Sequence, residues 1–204
     1  MKKVLFFYFL LFSLIGHSQS NWQQFKKLSC SEKTWTILHI FKAKKAYKVA
    51  KEAQHVSDSI AKTPLLDGDK SGGQVDAFRH AYWMARLHQE IGKNAARKLG
   101  KAHEKANYQQ YKNSLLEDGE APDEVSSEMD LFNNDIGLSF TQKGVSHPKD
   151  GLIYTIVNAI LAGELKVIKK DSKRNYLTCD DKYITQKELK GKWKNSKCLI
   201  NSSN

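Results

Sequence analysis

The sequence predicts a mainly α-helical protein: a compact bundle of about five helices with a small irregular or β-containing C-terminal extension. Two observations predict this class. Apolar residues recur at intervals of three and four in several long segments, which is the spacing that places them on one face of a helix. Glycine and proline are concentrated between those segments, where they interrupt helices. The 204 residues are enough for one domain with a hydrophobic core.

Each predicted helix has start or stop signals at its ends. The first begins near residue 29 and lacks glycine and proline, with Ser31 as its N-cap. The stretch TPLLDGDKSGGQ predicts a loop, and Gly92 ends the helix that follows it. Ser126 or Ser127 is expected to cap the fourth helix after an acidic surface loop. The five expected helices cover residues 29–62, 74–91, 93–106, 128–137 and 149–163.

Residues 1–20 have the layout of a secretion signal. Two lysines precede an apolar run from Val4 to Ile15, and small or polar residues follow. The run is short for a membrane span, which needs about 20 apolar residues, although a retained anchor is the alternative. No later stretch is apolar and long enough to span a bilayer. We therefore expect an exported protein, periplasmic or secreted, with a helical domain at 21–165 and a basic extension at 166–204.

The charge of the chain is strongly basic and uneven. The formal net charge is +11, with lysine-rich blocks at residues 41–51 and 166–197 and an acidic stretch at 117–130. A basic excess favours anionic partners, such as an anionic substrate or polymer. The alternative is an ordinary solvated surface. Few aromatic residues lie among the lysines, so the sequence carries no strong nucleic-acid signature.

The C-terminal extension differs from the helical segments. Its β-branched and aromatic residues, interrupted by DD and KG, predict either two or three short strands or a basic extended arm. An exported chain meets an oxidising compartment, where cysteines form disulfides. Cys179 and Cys198 are close in sequence and are the expected pair, which leaves Cys30 free or in an intermolecular bond.

The candidate site begins with the stretch DAFRHAYWMARLHQEIG on the second helix. Asp76 and His80 are four residues apart, so they lie on the same side of the helix. A carboxylate beside an imidazole sets its tautomer and raises its basicity. Arg79 and Trp83 flank His80 at helical spacing, and a guanidinium is suited to binding phosphate or carboxylate.

Two further helices carry polar residues. The third helix has His103 next to Glu104, and both can border one cleft because adjacent side chains differ by about 100° in direction. The fourth has Asp130, Asn133 and Asn134 as a polar stripe among apolar neighbours. If these side chains are buried, they need hydrogen-bond partners.

Two hypotheses explain this pattern. In one, the three helices converge on a hydrolytic site that uses a general base or a divalent metal. In the other, the same groups form a buried hydrogen-bond network that sets the helix register. The first assigns a catalytic set (His80, Asp76, His103, Glu104), a substrate-binding set (Arg79, Trp83, Asn133, Asn134) and a metal-binding set (His80, His103, Glu104, Asp130). The sequence contains no GxSxG, HExxH or phosphate-binding glycine loop.

The motifs DAFRHAYW, AHE and MDLFNNDIG, in this order, resemble an uncharacterised bacterial domain family. Its members occur in secreted proteins and in toxin-like C-terminal regions. The resemblance covers roughly residues 50–165 and implies that the residues of the three motifs form one site, without implying a named reaction.

Two looser similarities concern activity. The order of His80, then His103 with Glu104, then Asp130 is similar to that of HD-type metal phosphohydrolases, although here the paired acid is glutamate and the last spacing is short. The pairing of Asp76 with His80 is similar to that in small secreted helical phospholipases, but their disulfide pattern and calcium loop are missing.

We therefore expect a secreted or periplasmic hydrolase that acts on a phosphate- or carboxylate-bearing substrate, with a divalent metal as its candidate cofactor. One alternative is a non-catalytic cell-envelope protein that binds an anionic polymer or a partner through its lysine-rich faces. Another, suggested only by where the resembling family occurs, is a toxin-type effector.

Overall fold

The structure, a computed structural model, describes residues 22–114 and 121–203. The expected secretion signal at residues 1–20 lies outside the described residues. The helices are α1 (residues 22–27), α2 (Cys30–Leu38), α3 (Ile40–Ile60), α4 (Gln74–Ile91), α5 (Lys93–Lys112), α6 (Glu124–Gly137), α7 (Lys149–Leu161) and α8 (Gln186–Leu189). The strands are β1 (Lys166–Ile168) and β2 (Leu199–Asn201). This architecture confirms the mainly helical class with a small β-containing C-terminal part.

The prediction of one uninterrupted first helix was wrong. The chain breaks at His39, whose φ of −129° and ψ of 39° are not helical, so that α2 and α3 are separate. The N-cap is Ser29 and not Ser31. The Ser29 hydroxyl accepts a hydrogen bond from the Glu32 amide, and the Glu32 carboxylate accepts one from the Ser29 amide. Ser31 instead donates from its hydroxyl to the carbonyl of Ala102 on α5.

The other helices differ from expectation mainly at their ends. The second predicted helix, at residues 74–91, is confirmed as α4. The third continues beyond residue 106, because no glycine or proline lies between residues 107 and 112. The fourth begins four residues earlier than expected, because Asp123 is its N-cap and accepts a hydrogen bond from the Ser126 amide. The fifth ends at Leu161.

Helix α4 is the centre of the fold. It packs against α3, α5, α6 and α7, and also contacts β1. Its apolar face is fully buried, with Phe78, Tyr82 and Leu87 at 0% exposure. A helix surrounded in this way has little solvent-facing surface. The polar side chains on α4 are therefore also forced into the interior, where they need partners.

Gly137 allows α6 to lie unusually close to α4. A Cβ atom at this position would lie 2.3 Å from the carbonyl oxygen of Ala81 and 2.7 Å from its Cα. We predict that Gly137→Ala lowers the free energy of unfolding by about 1–3 kcal/mol or more, because backbone atoms must move to make room. Gly151→Ala is the matched control, since nothing lies within 4 Å of its added Cβ. Urea denaturation of both variants measures the difference, and equal stabilities would contradict the close approach.

The C-terminal part packs onto the helical bundle. β1 and β2 pair antiparallel, with Val167 opposite Ile200. The Asn133 side chain on α6 bonds both backbone groups of Lys166, with Nδ2 donating to the carbonyl at 3.0 Å and Oδ1 accepting from the amide at 2.9 Å. The Ile168 amide donates to the carbonyl of Gly72, in the loop before α4. These hydrogen bonds connect the C-terminal part to α6 and to the loop before α4.

The cysteine prediction is confirmed. Cys179 and Cys198 form a disulfide bond, and Cys30 is an exposed free thiol. Among the described residues, no helix is both long enough and apolar enough to cross a membrane.

Candidate functional site

Asp76 and His80 of α4 meet Asp130 of α6 in a buried cluster, which we call the Asp–His–Asp group. The Nε2 atom of His80 lies 3.2 Å from Oδ1 of Asp130 and 3.6 Å from Oδ1 of Asp76. One nitrogen or oxygen atom from each residue lies within 4.8 Å of the other two, a spacing that a single metal ion could bridge. Within residues 22–114 and 121–203, no other group of three histidine, cysteine or acidic side chains has its ligand atoms within 4.8 Å of one another.

The His80 ring is oriented by Asn134. Its Nδ1 atom lies 3.3 Å from the amide oxygen of Asn134, which can only accept a hydrogen bond. Nδ1 therefore carries the proton, and Nε2 points toward the two carboxylates. An outer hydrogen bond of this kind holds the rings of metal-binding and general-base histidines in one tautomer. His80 itself is only 2% exposed, so its environment is set by protein groups.

Asp76 is held in its ionised form. One carboxylate oxygen, Oδ2, accepts a hydrogen bond of 2.7 Å from the Gly72 amide. The other, Oδ1, accepts from Nη2 of Arg79 at 2.7 Å and from its Nε at 3.2 Å. Burial raises the pKa of Asp76, but the charge of Arg79 and the hydrogen bonds from Gly72 and Arg79 outweigh it, so the pKa lies below its usual range.

A small cleft opens above the Asp–His–Asp group. Its cavity volume is about 40 Å³, which is larger than the roughly 10–15 Å³ needed to hold one water molecule. Asp76 and Asp130 line the cleft, and Lys70 and Arg79 add positive charge. Lys197 also lines it, but its charge is paired with Asp123. The cleft therefore offers ligands for a cation at its base and cationic groups for an anion at its walls.

His103 lies beside the Asp–His–Asp group. Its ring centre is 6.5 Å from that of His80 and 5.5 Å from that of Trp83. Its Nδ1 atom donates to Oε1 of Glu32 at 3.3 Å. Glu104 is buried and accepts a hydrogen bond from the side-chain Nδ2 of Asn107. Of the four residues expected to bind metal, His80 and Asp130 belong to the Asp–His–Asp group, and the third member of that group is Asp76.

The four expected substrate-binding residues have different surroundings. Arg79 lines the cleft, whereas Asn134 lies behind His80. Trp83 is edge-on to the His80 ring, and its buried Nε1 has no hydrogen-bond partner among residues 22–114 and 121–203. Asn133 is fully buried and bonds the backbone of Lys166, so it positions the C-terminal part instead of lining the cleft.

Three cleft residues were missed by the sequence analysis. Tyr176 and Lys197 lie far from the motifs in sequence, whereas Lys70 lies in the loop just before α4. The cleft forms only when the C-terminal part packs beside α4 and α6. The Nζ atom of Lys197 lies 2.7 Å from Oδ2 of Asp123 and 3.8 Å from the centre of the Tyr176 ring. The sequence indicated only that the C-terminal segment is basic.

Glu32 was also missed, and it gives the protein a pH-dependent element. Burial raises the pKa of Glu32, but hydrogen bonds from His103 and from the Ser29 amide lower it by more. The net effect lowers the pKa from 4.5 to about 2. A carboxylate whose pKa is lowered by folding stabilises the fold at pH values above 4.5, its pKa in the unfolded chain. That contribution is lost as the pH falls from 4.5 toward 2.

We predict that Glu32→Gln lowers stability at pH 7 and flattens the decline in stability between pH 4.5 and 2. Glutamine can still complete the capping box through its one oxygen, so the variant removes the charge together with the acceptor of the His103 hydrogen bond. Thermal unfolding across this pH range measures the effect. Glu128→Gln, at an exposed position of α6, is the control. A steeper acid-side decline in Glu32→Gln than in the wild type would contradict the prediction.

Comparison with known proteins identifies the domain family. No curated protein and no solved structure matches the chain. Residues 33–164 match a family described as a domain of unknown function, DUF6973, and this range includes the Asp–His–Asp group and most of the helical bundle. Because the match spans well over half of the 204 residues, the chain belongs to the DUF6973 family.

Proposed function

We propose that this protein is an exported, metal-dependent hydrolase that acts on a phosphate- or carboxylate-bearing substrate. The observation that carries the proposal is the convergence of His80 Nε2 with the carboxylates of Asp76 and Asp130, which line a cleft together with Lys70 and Arg79. One imidazole and two carboxylates form a ligand set suited to first-row divalent ions such as Mn²⁺, Fe²⁺ or Zn²⁺.

The residues fit a metal by their chemistry as well as by distance. Asp76 is held ionised, and the Nδ1 hydrogen bond to Asn134 leaves Nε2 of His80 as the ligand atom. A divalent ion held there would act as a Lewis acid and lower the pKa of a bound water molecule. The Asp130 carboxylate, which lines the cleft, would be available to accept a proton during hydrolysis.

Cationic side chains in the cleft walls would bind the substrate. The Arg79 guanidinium, which has 22% side-chain exposure, presents donors next to the Asp–His–Asp group and matches the geometry of phosphate or carboxylate oxygens. Lys70 adds a more exposed positive charge, although Asp58 partly neutralises it. Anions are therefore favoured over neutral or cationic substrates.

The test combines metal binding with hydrolysis. The purified protein is titrated with Mn²⁺, Zn²⁺ and Mg²⁺ and then assayed on chromogenic phosphate monoesters, phosphate diesters and carboxylic esters. We expect one bound metal per chain and metal-dependent hydrolysis of one substrate class. Asp130→Asn should lose both properties. Asp135→Asn, an exposed residue of the same helix paired with Arg97, should keep them. Equal hydrolysis by Asp130→Asn and the wild type would overturn the proposal, and so would the absence of hydrolysis with every metal.

One observation favours a second candidate, a non-catalytic protein that binds an anionic polymer. Nη2 of Arg79 lies 3.3 Å from His80 Nε2 and also bonds Asp76, so the polar cluster satisfies many of its own hydrogen bonds. Under this alternative, binding to polyphosphate weakens steeply with salt. His80→Ala would leave that binding unchanged.

A further inference from the structure

The junction between α2 and α3 exposes four large apolar side chains, which we call the apolar corner. Ile37 and Leu38 end α2, and Ile40 and Phe41 begin α3. Their exposures are 65%, 74%, 68% and 97%. Singly exposed apolar residues are common on protein surfaces, but a contiguous exposed group of this kind is typical of a site of interaction.

The corner is held in place by the fold. Trp35 is buried, and its Nε1 donates to the carbonyl of Ala95 on α5. The His39 ring stacks on the Trp35 ring at 4.7 Å, and its Nδ1 lies 2.9 Å from the Trp35 carbonyl oxygen. The helix break at His39 is therefore anchored to the core. Because the break is anchored, the side chains on both sides of it project together from a fixed turn.

Positive charge follows the corner along α3. The segment from Ile40 to Lys51 contains five lysines and no acidic residue. Lys44 and Lys48 are exposed on α3 directly after the corner. Lys45 is also exposed, and its partner Glu90 is itself only partly buried. The apolar corner with its neighbouring lysines is complementary to a surface that has an apolar interior beneath a negatively charged outer layer.

We propose that the apolar corner docks the protein on the surface of an anionic lipid bilayer. Leu38 and Phe41 would enter the boundary between headgroups and acyl chains, while Lys44 and Lys48 contact anionic headgroups. This is the mode of interfacial helices, in which buried apolar area and electrostatic attraction both contribute to binding. The proposal does not depend on the proposed hydrolase activity, because it uses none of the cleft residues.

The experiment is co-sedimentation of the full chain with vesicles. One set contains phosphatidylcholine alone, and the other contains phosphatidylcholine with about one quarter phosphatidylglycerol, a mixture that carries the negative surface charge. The test variant is Leu38→Ser with Phe41→Ser. The matched control is Tyr154→Ser with Leu161→Ser, which removes two exposed apolar side chains from α7. Residues 1–21 are present in every protein compared, so any binding through them is common to all.

We expect the wild type and the α7 control to bind the anionic vesicles, and the corner variant to bind at least about tenfold more weakly. Higher salt should reduce binding, as should Lys44→Glu with Lys48→Glu. Equal binding by the corner variant, equal binding to both vesicle types, or no binding at all would overturn the proposal. A wild-type dimer that becomes monomeric in the corner variant, without vesicle binding, would assign the corner to a second copy of the chain.

Discussion

His80→Ala is expected to lower the affinity for a divalent metal by more than about 100-fold, since even the residues behind a metal ligand typically contribute 10- to 100-fold. The variant removes the nitrogen atom that lies between the carboxylates of Asp76 and Asp130. The carboxylates of Asp76 and Asp130 would then remain as two ligands without the imidazole nitrogen. Isothermal titration with Mn²⁺ or Zn²⁺ measures the loss, and far-ultraviolet circular dichroism shows that the helices remain.

The matched control is His88→Ala. His88 also lies on α4 and is partly buried, but its Nδ1 contacts the carbonyl oxygen of Leu138 and not the Asp–His–Asp group. This variant should retain metal affinity. A graded result is expected for Asn134→Ala, which keeps all three ligands but frees the His80 ring, and which should weaken binding by about 10- to 100-fold. Unchanged affinity in His80→Ala would remove the metal from the proposed function.

Asp123→Asn is expected to lower the free energy of unfolding by about 3–5 kcal/mol, the usual effect of breaking one side of a buried ion pair. The Asp123 and Lys197 side chains are both only 5% exposed, and Oδ2 of Asp123 lies 2.7 Å from Nζ of Lys197. Asparagine is an equally good N-cap, so the substitution leaves the start of α6 supported. The loss therefore reports the ammonium group of Lys197 and the side-chain amide of Asn195, which both lose Oδ2 of Asp123 as their acceptor, and not the cap.

Urea denaturation with the disulfide intact measures this effect. Adding Lys197→Met to Asp123→Asn removes the unpaired charge, and the double variant should recover much of the lost stability. Recovery is incomplete because the ammonium group of Lys197 also lies over the Tyr176 ring. Asp135→Asn breaks an exposed pair with Arg97 and should cost less than about 1 kcal/mol. Equal losses in Asp123→Asn and Asp135→Asn would show that burial does not strengthen the Asp123 pair.

Local signals predicted most of the helices. α4 was predicted with its observed bounds because Gly73 and Gly92 flank a continuous apolar periodicity. The break at His39 was missed because no glycine or proline marks it. It depends instead on the stacking of His39 against Trp35 and on the packing of Trp35 against α5. Propensity alone does not report such tertiary contacts.

The candidate site was predicted in part. Asp76 and His80 are four residues apart on one helix, so their proximity is a local property of the sequence. The approach of Asp130 is not local, because it requires α6 to pack against α4 at Gly137. The same packing turns Asn134 behind His80 and buries Asn133 against Lys166. The rotation of α6 about its axis therefore decides that Asp130, and not Asn133 or Asn134, lines the cleft.

The sequence by itself determined the helical class, the bounds of α4 with its Asp76 and His80 pair, and the cysteines that form the disulfide. These depend on spacing along the chain, which short-range geometry converts directly into structure. Only the tertiary structure decided that Asp76 and not His103 completes the Asp–His–Asp group, and that Lys197 reaches the cleft from the C-terminal part. Those contacts join residues distant in sequence, and their positions follow from how whole helices pack.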